Sequence, residues 1–306
     1  MNIEVLLTEA EIADEFAESL AARDLPEKFF YWTPPSVKAW EALAARSEDE
    51  LRGTWENLAS KVADLTKSFG KTVPVISFGA GNGTKDRMLL KALALAGRET
   101  KYFPVDASQI LLEMACAGAE DDDCEAIGIK ADISSPMHMV LAADAAEAPR
   151  LFLMVGNTLG GFDPLDQMRH VASCIHKGDL LILDAHLHAG VPIQPTDEQK
   201  RFVFAPLASV GITADEGGLE FAEKPDDRLD GRFMVTRRFQ ASRDLRMLAS
   251  GHEIHMARGE RILLNFRYLF SKEAFRWLVT KHAGLRIVGE MPSADGRFLT
   301  AVCIKA

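Results

Sequence analysis

Apolar and polar positions follow two regimes along this chain. Between residues 73 and 184, short and nearly continuous apolar runs alternate with stretches of helical period. The runs at 73–78, 101–105, 126–130, 150–155 and 179–184 predict strands, and their lack of alternation predicts burial on both faces. The stretches near 84–96, 108–118, 136–146 and 164–176 predict helices, with Gly97 and Gly178 where C-caps belong. Such a succession builds a parallel sheet through right-handed crossovers, with its ligand site beyond the carboxyl ends of the strands.

The flanks read differently. A capping box, Thr8 to Glu11, opens a helix over 8–22. Lys28-Phe29-Phe30-Tyr31-Trp32-Thr33-Pro34-Pro35 predicts an ordered aromatic loop closed by two prolines. A second box, Ser47 to Glu50, is expected to open a helix with Leu51, Trp55, Leu58, Val62, Leu65 and Phe69 on its apolar face, ended by Gly70. After residue 190, helices are expected at 197–210 and 272–283. Antiparallel strands are expected at 232–240, 245–256 and 261–269, the last two joined at Arg258-Gly259-Glu260. A hairpin of 284–290 and 297–305, turning at Ser293-Ala294-Asp295-Gly296, closes the chain.

Candidate chemistry sits at the strand ends. Gly79, Gly81 and Gly83 follow Phe78 at alternate positions, and helical periodicity (Met88, Leu89, Leu90, Leu93, Leu95) begins at once. Glycines between a strand and a helix bring bare backbone, and the helix's free N–H groups, close to a ligand. A dinucleotide site would place its third glycine one position later, where this chain has Thr84. The plainer reading is a tight turn without a ligand. At the second strand end, Asp106 stands 23 residues after Gly83, a spacing at which a carboxylate accepts both ribose hydroxyls. Its other reading is a helix cap. At the third end, Asp132 with Ile133 can receive an adenine amine and ring face, or Asp132 is a solvated loop acid. The fourth strand opens into Gly156-Asn157-Thr158-Leu159-Gly160-Gly161-Phe162, where Gly156 admits a cofactor and Asn157 and Thr158 orient an acceptor, unless this too is a plain loop. His186 and His188 share a face beside Asp184, but spacing fixes no third metal ligand, so no metal is expected.

Composition narrows the partners. The 306 residues carry a formal net charge of −10, which argues against broad binding of nucleic acid or anionic membrane. No stretch approaches the roughly 20 apolar residues that span a bilayer, and the first residues do not form a secretory leader. Cys116, Cys124, Cys174 and Cys303 show no paired spacing and read as reduced thiols of a cytoplasmic protein. The expected partner is a small-molecule substrate; the sequence leaves the oligomeric state open.

A parallel sheet ending in an antiparallel hairpin points to the methyltransferase version of the doubly wound fold. Several segments together resemble the histidine-specific Nα-methyltransferase family: Phe78-Gly79-Ala80-Gly81-Asn82-Gly83-Thr84-Lys85, Tyr102-Phe103-Pro104-Val105-Asp106-Ala107-Ser108, Asp132, the segment from Val155 to Phe162, Lys177-Gly178-Asp179-Leu180-Leu181-Ile182, Gly259-Glu260-Arg261-Ile262, and Lys28-Phe29-Phe30-Tyr31. The resemblance covers roughly residues 28 to 306. It implies S-adenosylmethionine as cofactor, with Gly79 and Lys85 at the methionine part, Asp106 at the ribose, and Asp132 with Ile133 at the adenine. It also implies a Rossmann-like core (61–190 and 269–306) and a second, substrate-binding domain drawn from 1–60 and from an insertion at 191–268. Three departures concern the substrate. Gly161 stands where the family has a substrate-gripping Asn, Asn265-Phe266-Arg267 stands where it has Glu-x-Ser, and its Ala-Tyr-Asn-Asp loop is missing.

These observations predict a methyltransferase acting on a small molecule, at nitrogen, with histidine not the acceptor. Tyr31, Trp32, Phe162 and Tyr268 are expected to line the pocket, Asn157, Thr158, Asn265 and Arg267 to make polar contacts, and Gly161 to border it. Arg267 is suited to a bidentate carboxylate. Two other readings are a non-catalytic partner that keeps the fold, and a nicotinamide-dependent dehydrogenase.

Overall fold

The computed structural model describes residues 1–190 and 194–306, the side chains of 46–51 excepted. In chain order the elements are β1 (Asn2–Val5), α1 (Glu9–Ala22), α2 (Pro34–Leu65), β2 (Thr72–Phe78), α3 (Thr84–Leu95), β3 (Glu99–Asp106), α4 (Gln109–Glu120), β4 (Glu125–Lys130), α5 (Pro136–Ala143), β5 (Leu151–Met154), α6 (Pro164–Cys174), β6 (Leu180–His186), α7 (Asp197–Ser209), β7 (Gly217–Pro225), β8 (Arg232–Ala241), β9 (Leu245–Ala249), β10 (His252–Met256), β11 (Arg261–Phe270), α8 (Lys272–Trp277), β12 (Leu285–Pro292) and β13 (Phe298–Lys305).

Eight strands form one sheet in the order β1-β4-β3-β2-β5-β6-β13-β12. The first six are parallel, and β13 and β12 are antiparallel. The strand order reverses at β2, which has β3 on one side and β5 on the other, so a crevice opens beyond the β2 and β5 ends. Apolar cores cover both faces: α5, α6 and α8 pack on one, and the end of α2 with α3 and α4 on the other. Continuous burial along β5 and most of β2 explains the unbroken apolar runs.

A separate core joins α1, the segment 25–32, α7 and strands β8 to β11, with Phe16, Phe29, Phe30, Phe202 and Phe239 at its centre. Its strands form a three-stranded antiparallel sheet, β11-β8-β7, and a β9-β10 hairpin. Helix α2 runs unbroken from this core, where Ala39, Trp40 and Leu43 pack, to the main sheet, where Leu58 and Val62 pack. The expected boundary at residue 60 therefore falls inside one helix.

Several expectations need correction. Pro34 and Pro35 do not close a loop but begin α2, because Thr33 caps that helix and proline suits its first turn. The helix therefore does not open at Ser47; the side chains of that box and of Leu51 lie outside the described ones. Residues 27–30 form a short 3₁₀ turn. The stretch 245–256 is its own hairpin, bent at Ser250 and Gly251, and β11 pairs with β8 instead. Strands β1 and β7 were not foreseen; β1 is only four residues long, and β7 is largely half-exposed. Helix α8 ends at Trp277 and passes into a wider π turn.

Candidate functional site

The β2–α3 turn forms the floor of the crevice. Gly79, Gly81 and Gly83 take φ values of 70°, 58° and 75°, conformations that favour glycine. A Cβ on Gly79 would stand 2.7 Å from the Thr158 methyl, and one on Gly81 3.1 Å from the Trp40 ring. Gly83 is the N-cap of α3 and backs onto Ala115, away from the crevice.

Asp106, at the end of β3, is fixed from both sides. It accepts the Gly81 N–H at 3.0 Å and the Ser108 N–H at 2.9 Å. Burial raises its carboxyl above the usual range, against the pull of those two donors and the positive field of Lys85. Ser108, not Asp106, caps α4. Asp132 accepts from Ser134 N at 2.8 Å and Lys28 Nζ at 2.5 Å, and Lys28 also reaches Glu15. Burial acts to raise Asp132, but the Lys28 charge and hydrogen bond and the Ser134 donors outweigh it, so its carboxyl is held low.

The β5 loop is shaped by Asp184, a fully buried residue of β6. Its carboxylate accepts the Gly156 N–H at 2.8 Å and the Asn157 N–H at 2.7 Å. Those bonds support the positive φ values of both residues, 82° and 61°. Any side chain on Gly156 would collide with the Lys85 ammonium. That ammonium lies 5.7 Å from the centre of the Trp55 ring and has no hydrogen-bond partner among the described residues.

Opposite this floor, Glu27 and Tyr31 meet Asn265 and Arg267 of β11. Glu27 accepts from Tyr31 Oη at 2.8 Å and Arg267 Nη2 at 2.5 Å on one oxygen, and from Asn265 Nδ2 at 3.2 Å on the other. Burial raises the Tyr31 phenol well above its ordinary value. Floor and wall line one partly open cavity, bordered by Gly79, Gly81, Lys85, Asp106, Asp132, Ile133, Gly156, Asn157, Thr158, Tyr31, Phe162 and Arg267, among others.

The other sequence candidates lie elsewhere. Trp32 packs edge-on against Phe16 and Phe29 and donates to Glu9, outside the cavity. Tyr268 is buried under Arg232 and bonds to Arg228. Asn265 is buried behind Glu27, and Gly161 borders a neighbouring hollow rather than the cavity itself. His186 stacks on Phe298, and His188 pairs with Glu223. Sequence reasoning passed over Glu27 and Trp40 as site residues and weighed Asp184 only beside His186 and His188 as a metal ligand. A carboxylate beside the aromatic entry segment was a usable signal for Glu27, whereas Trp40 depended on where α2 begins.

Residues 11–189, more than half of the chain, match the family described as histidine-specific, S-adenosylmethionine-dependent methyltransferases. No curated protein matches. Similar solved structures include an S-adenosylmethionine-dependent methyltransferase from Clostridium acetobutylicum ATCC 824 (13% identity over 87% of this chain and 99% of that one, TM-score 0.47). Another is CalS10, an amino pentose methyltransferase from Micromonospora echinaspora (12%, 85% and 96%, TM-score 0.41). The glycopeptide N-methyltransferase MtfA is a third (12%, 98% and 99%, TM-score 0.39).

Proposed function

The chain belongs to the histidine-specific, S-adenosylmethionine-dependent methyltransferase family, and from that premise we propose that it N-methylates a small amine or amino-acid-like molecule other than histidine. It is a methyltransferase whose cofactor is S-adenosylmethionine; what is inferred is the acceptor and the roles of individual residues. The observation that carries the inference is the union, in one cavity, of the glycine floor and Asp106 with a polar wall of Glu27, Tyr31 and Arg267.

The floor fits the cofactor. Gly79, Gly81 and Gly156 leave space that a Cβ would fill, Asp106 offers a positioned carboxylate for hydroxyl groups, and Lys85 offers an unpaired ammonium for a carboxylate. Asp132 and Ile133 would border the adenine. The bound cofactor supplies an electrophilic methyl group on sulfur. The protein's part is alignment and exclusion of water, effects that reach about 7–11 kcal/mol in well-oriented cases.

An amine must lose its proton before its nitrogen attacks. Glu27, on the wall facing the floor, is the carboxylate placed to receive it, directly or through the Tyr31 hydroxyl. The ring faces of Tyr31 and Phe162 would favour a methylated cation. Asn157 and Thr158 orient the acceptor from the β5 side. Histidine is disfavoured because the wall offers a carboxylate already engaged by Arg267. A cytoplasmic setting belongs to the same reading, supported by four free, buried cysteines. Among the described residues no helix is long and apolar enough to cross a membrane.

Calorimetry tests the cofactor roles first: S-adenosylmethionine and S-adenosylhomocysteine should both bind the wild type, and Lys85→Met should weaken both. A screen of small amines for S-adenosylhomocysteine release then tests the acceptor. Turnover of histidine at a rate matching the best amine would refute the substrate assignment.

A further inference from the structure

The substrate wall holds more positive charge than it neutralises. Arg237 of β8 stands directly across from Asn265 of β11, and a register shift between Leu263 and Asn265 marks a bulge beside them. Such bulges re-aim side chains. Arg237 donates through Nη1 to Asn265 Oδ1 at 3.0 Å, and Asn265 passes the contact on to Glu27. Two guanidinium groups therefore share a single carboxylate, Glu27, among neutral Asn265 and Tyr31. Neither fork is filled. Arg237 Nε is buried without a partner. Arg267 spends Nη2 on Glu27 and Tyr31, and its Nη1 has no hydrogen-bond partner among the described residues.

Gly161 makes room for the Arg267 guanidinium itself, which lines the cavity. A Cβ on Gly161 would stand 2.6 Å from Arg267 Nη1 and 3.0 Å from Glu27 Cγ. The other cations of the cavity do not need a ligand here: Lys28 is paired with Asp132 and Glu15, and Lys85 lies on the floor. A buried guanidinium lacking a counter-charge is costly, and the cost is removed when an anion arrives.

Resting on the methyltransferase reading above, we propose that the acceptor carries a carboxylate that seats on Arg267 Nη1, with Arg237 behind it supplying the unmatched positive charge. Arg237 is here a positioning residue: it does not line the cavity, and acts through Asn265 and through its field. Consistent with that excess, burial and then the nearby Arg267 charge push the Arg237 guanidinium down to about 10. The arrangement selects acidic amines over their neutral counterparts, because a neutral group leaves the guanidinium pair uncompensated.

The test uses the full chain saturated with S-adenosylhomocysteine, and matched sets of α-amino acids, their amides and the corresponding decarboxylated amines. Thermal shift reads binding without turnover, and S-adenosylhomocysteine release with S-adenosylmethionine reads turnover. Acids should raise the melting temperature and be used about 100-fold or more better than their neutral partners. Arg237→Gln, which leaves the Glu27–Arg267 pair intact, should fold with an unchanged or higher Tm and lose most of that discrimination. Equal binding of acids and amides, no shift with any acid, or discrimination preserved in Arg237→Gln would each overturn the proposal. Failure of the methyltransferase reading looks different: the wild type would bind neither S-adenosylmethionine nor S-adenosylhomocysteine.

Discussion

Gly79 tolerates no side chain, on two separate grounds. Its φ of 70° strains any L residue, and a Cβ would press on Thr158 at 2.7 Å. Gly79→Ala should cost about 1–3 kcal/mol of stability and remove S-adenosylhomocysteine binding, as read by melting temperature and calorimetry. Asp106 carries a pH signature. Its carboxyl is raised above the ordinary 3.8 by burial, despite the Ser108 and Gly81 N–H donors. In the proposed ribose-binding role the ionised carboxylate is the stronger acceptor, so affinity for S-adenosylhomocysteine should fall as pH drops through that raised value, and Asp106→Asn should flatten this acid limb. For folding the sign is reversed. A carboxyl with a raised folded pKa favours the fold below its unfolded value and loses that contribution as pH rises through the folded one. Gly79, Gly81 and Asp106 were readable as candidates from spacing. Arg237 was not, since only the pairing of β8 with β11 brings it behind Asn265.

Helices and strands were readable in proportion to their burial. The alternation of apolar run and helical stretch located β2 to β6 and the helices between them, because strands buried on both faces carry few polar positions to blur them. Element ends near prolines were harder. The pair Pro34-Pro35 suits both the end of a loop and the first turn of a helix, and Thr33 decides the matter: its hydroxyl accepts the Ser36 N–H at 3.4 Å. Thr33→Ala should lower stability by about 1 kcal/mol, and Thr33→Ser should retain most of it, in parallel denaturant titrations. The first turns of α2 also carry Trp40 to the Gly81 floor, so the same Ala variant should weaken cofactor binding slightly.

At the scale of the whole molecule, the second core is fastened to the main sheet by buried lysines. Lys130 of β4 pairs with Glu9 of α1, and Lys28 bridges Glu15 of α1 and Asp132 beyond β4. Lys28→Met would leave Asp132 buried without its cation, a loss of about 3–5 kcal/mol at neutral pH. Burial alone would raise Asp132, yet Lys28 and Ser134 hold its carboxyl below the ordinary 3.8. Its contribution is thus present above that value and lost as pH falls through the lower folded one. Melting temperatures across pH should show a wide gap between wild type and Lys28→Met at neutrality that closes in strong acid. The chain's linear pattern was enough to determine the parallel core, the glycine floor and the acids crowning the next two strands, because each depends on neighbours within one βα unit. The tertiary structure alone decided how the wall opposite that floor is assembled: Tyr31, Asn265 and Arg267 were readable as candidates, but not as partners of Glu27. Glu27 lies more than 200 residues before Asn265 and Arg267, and buried charges reveal their partners only when distant segments meet.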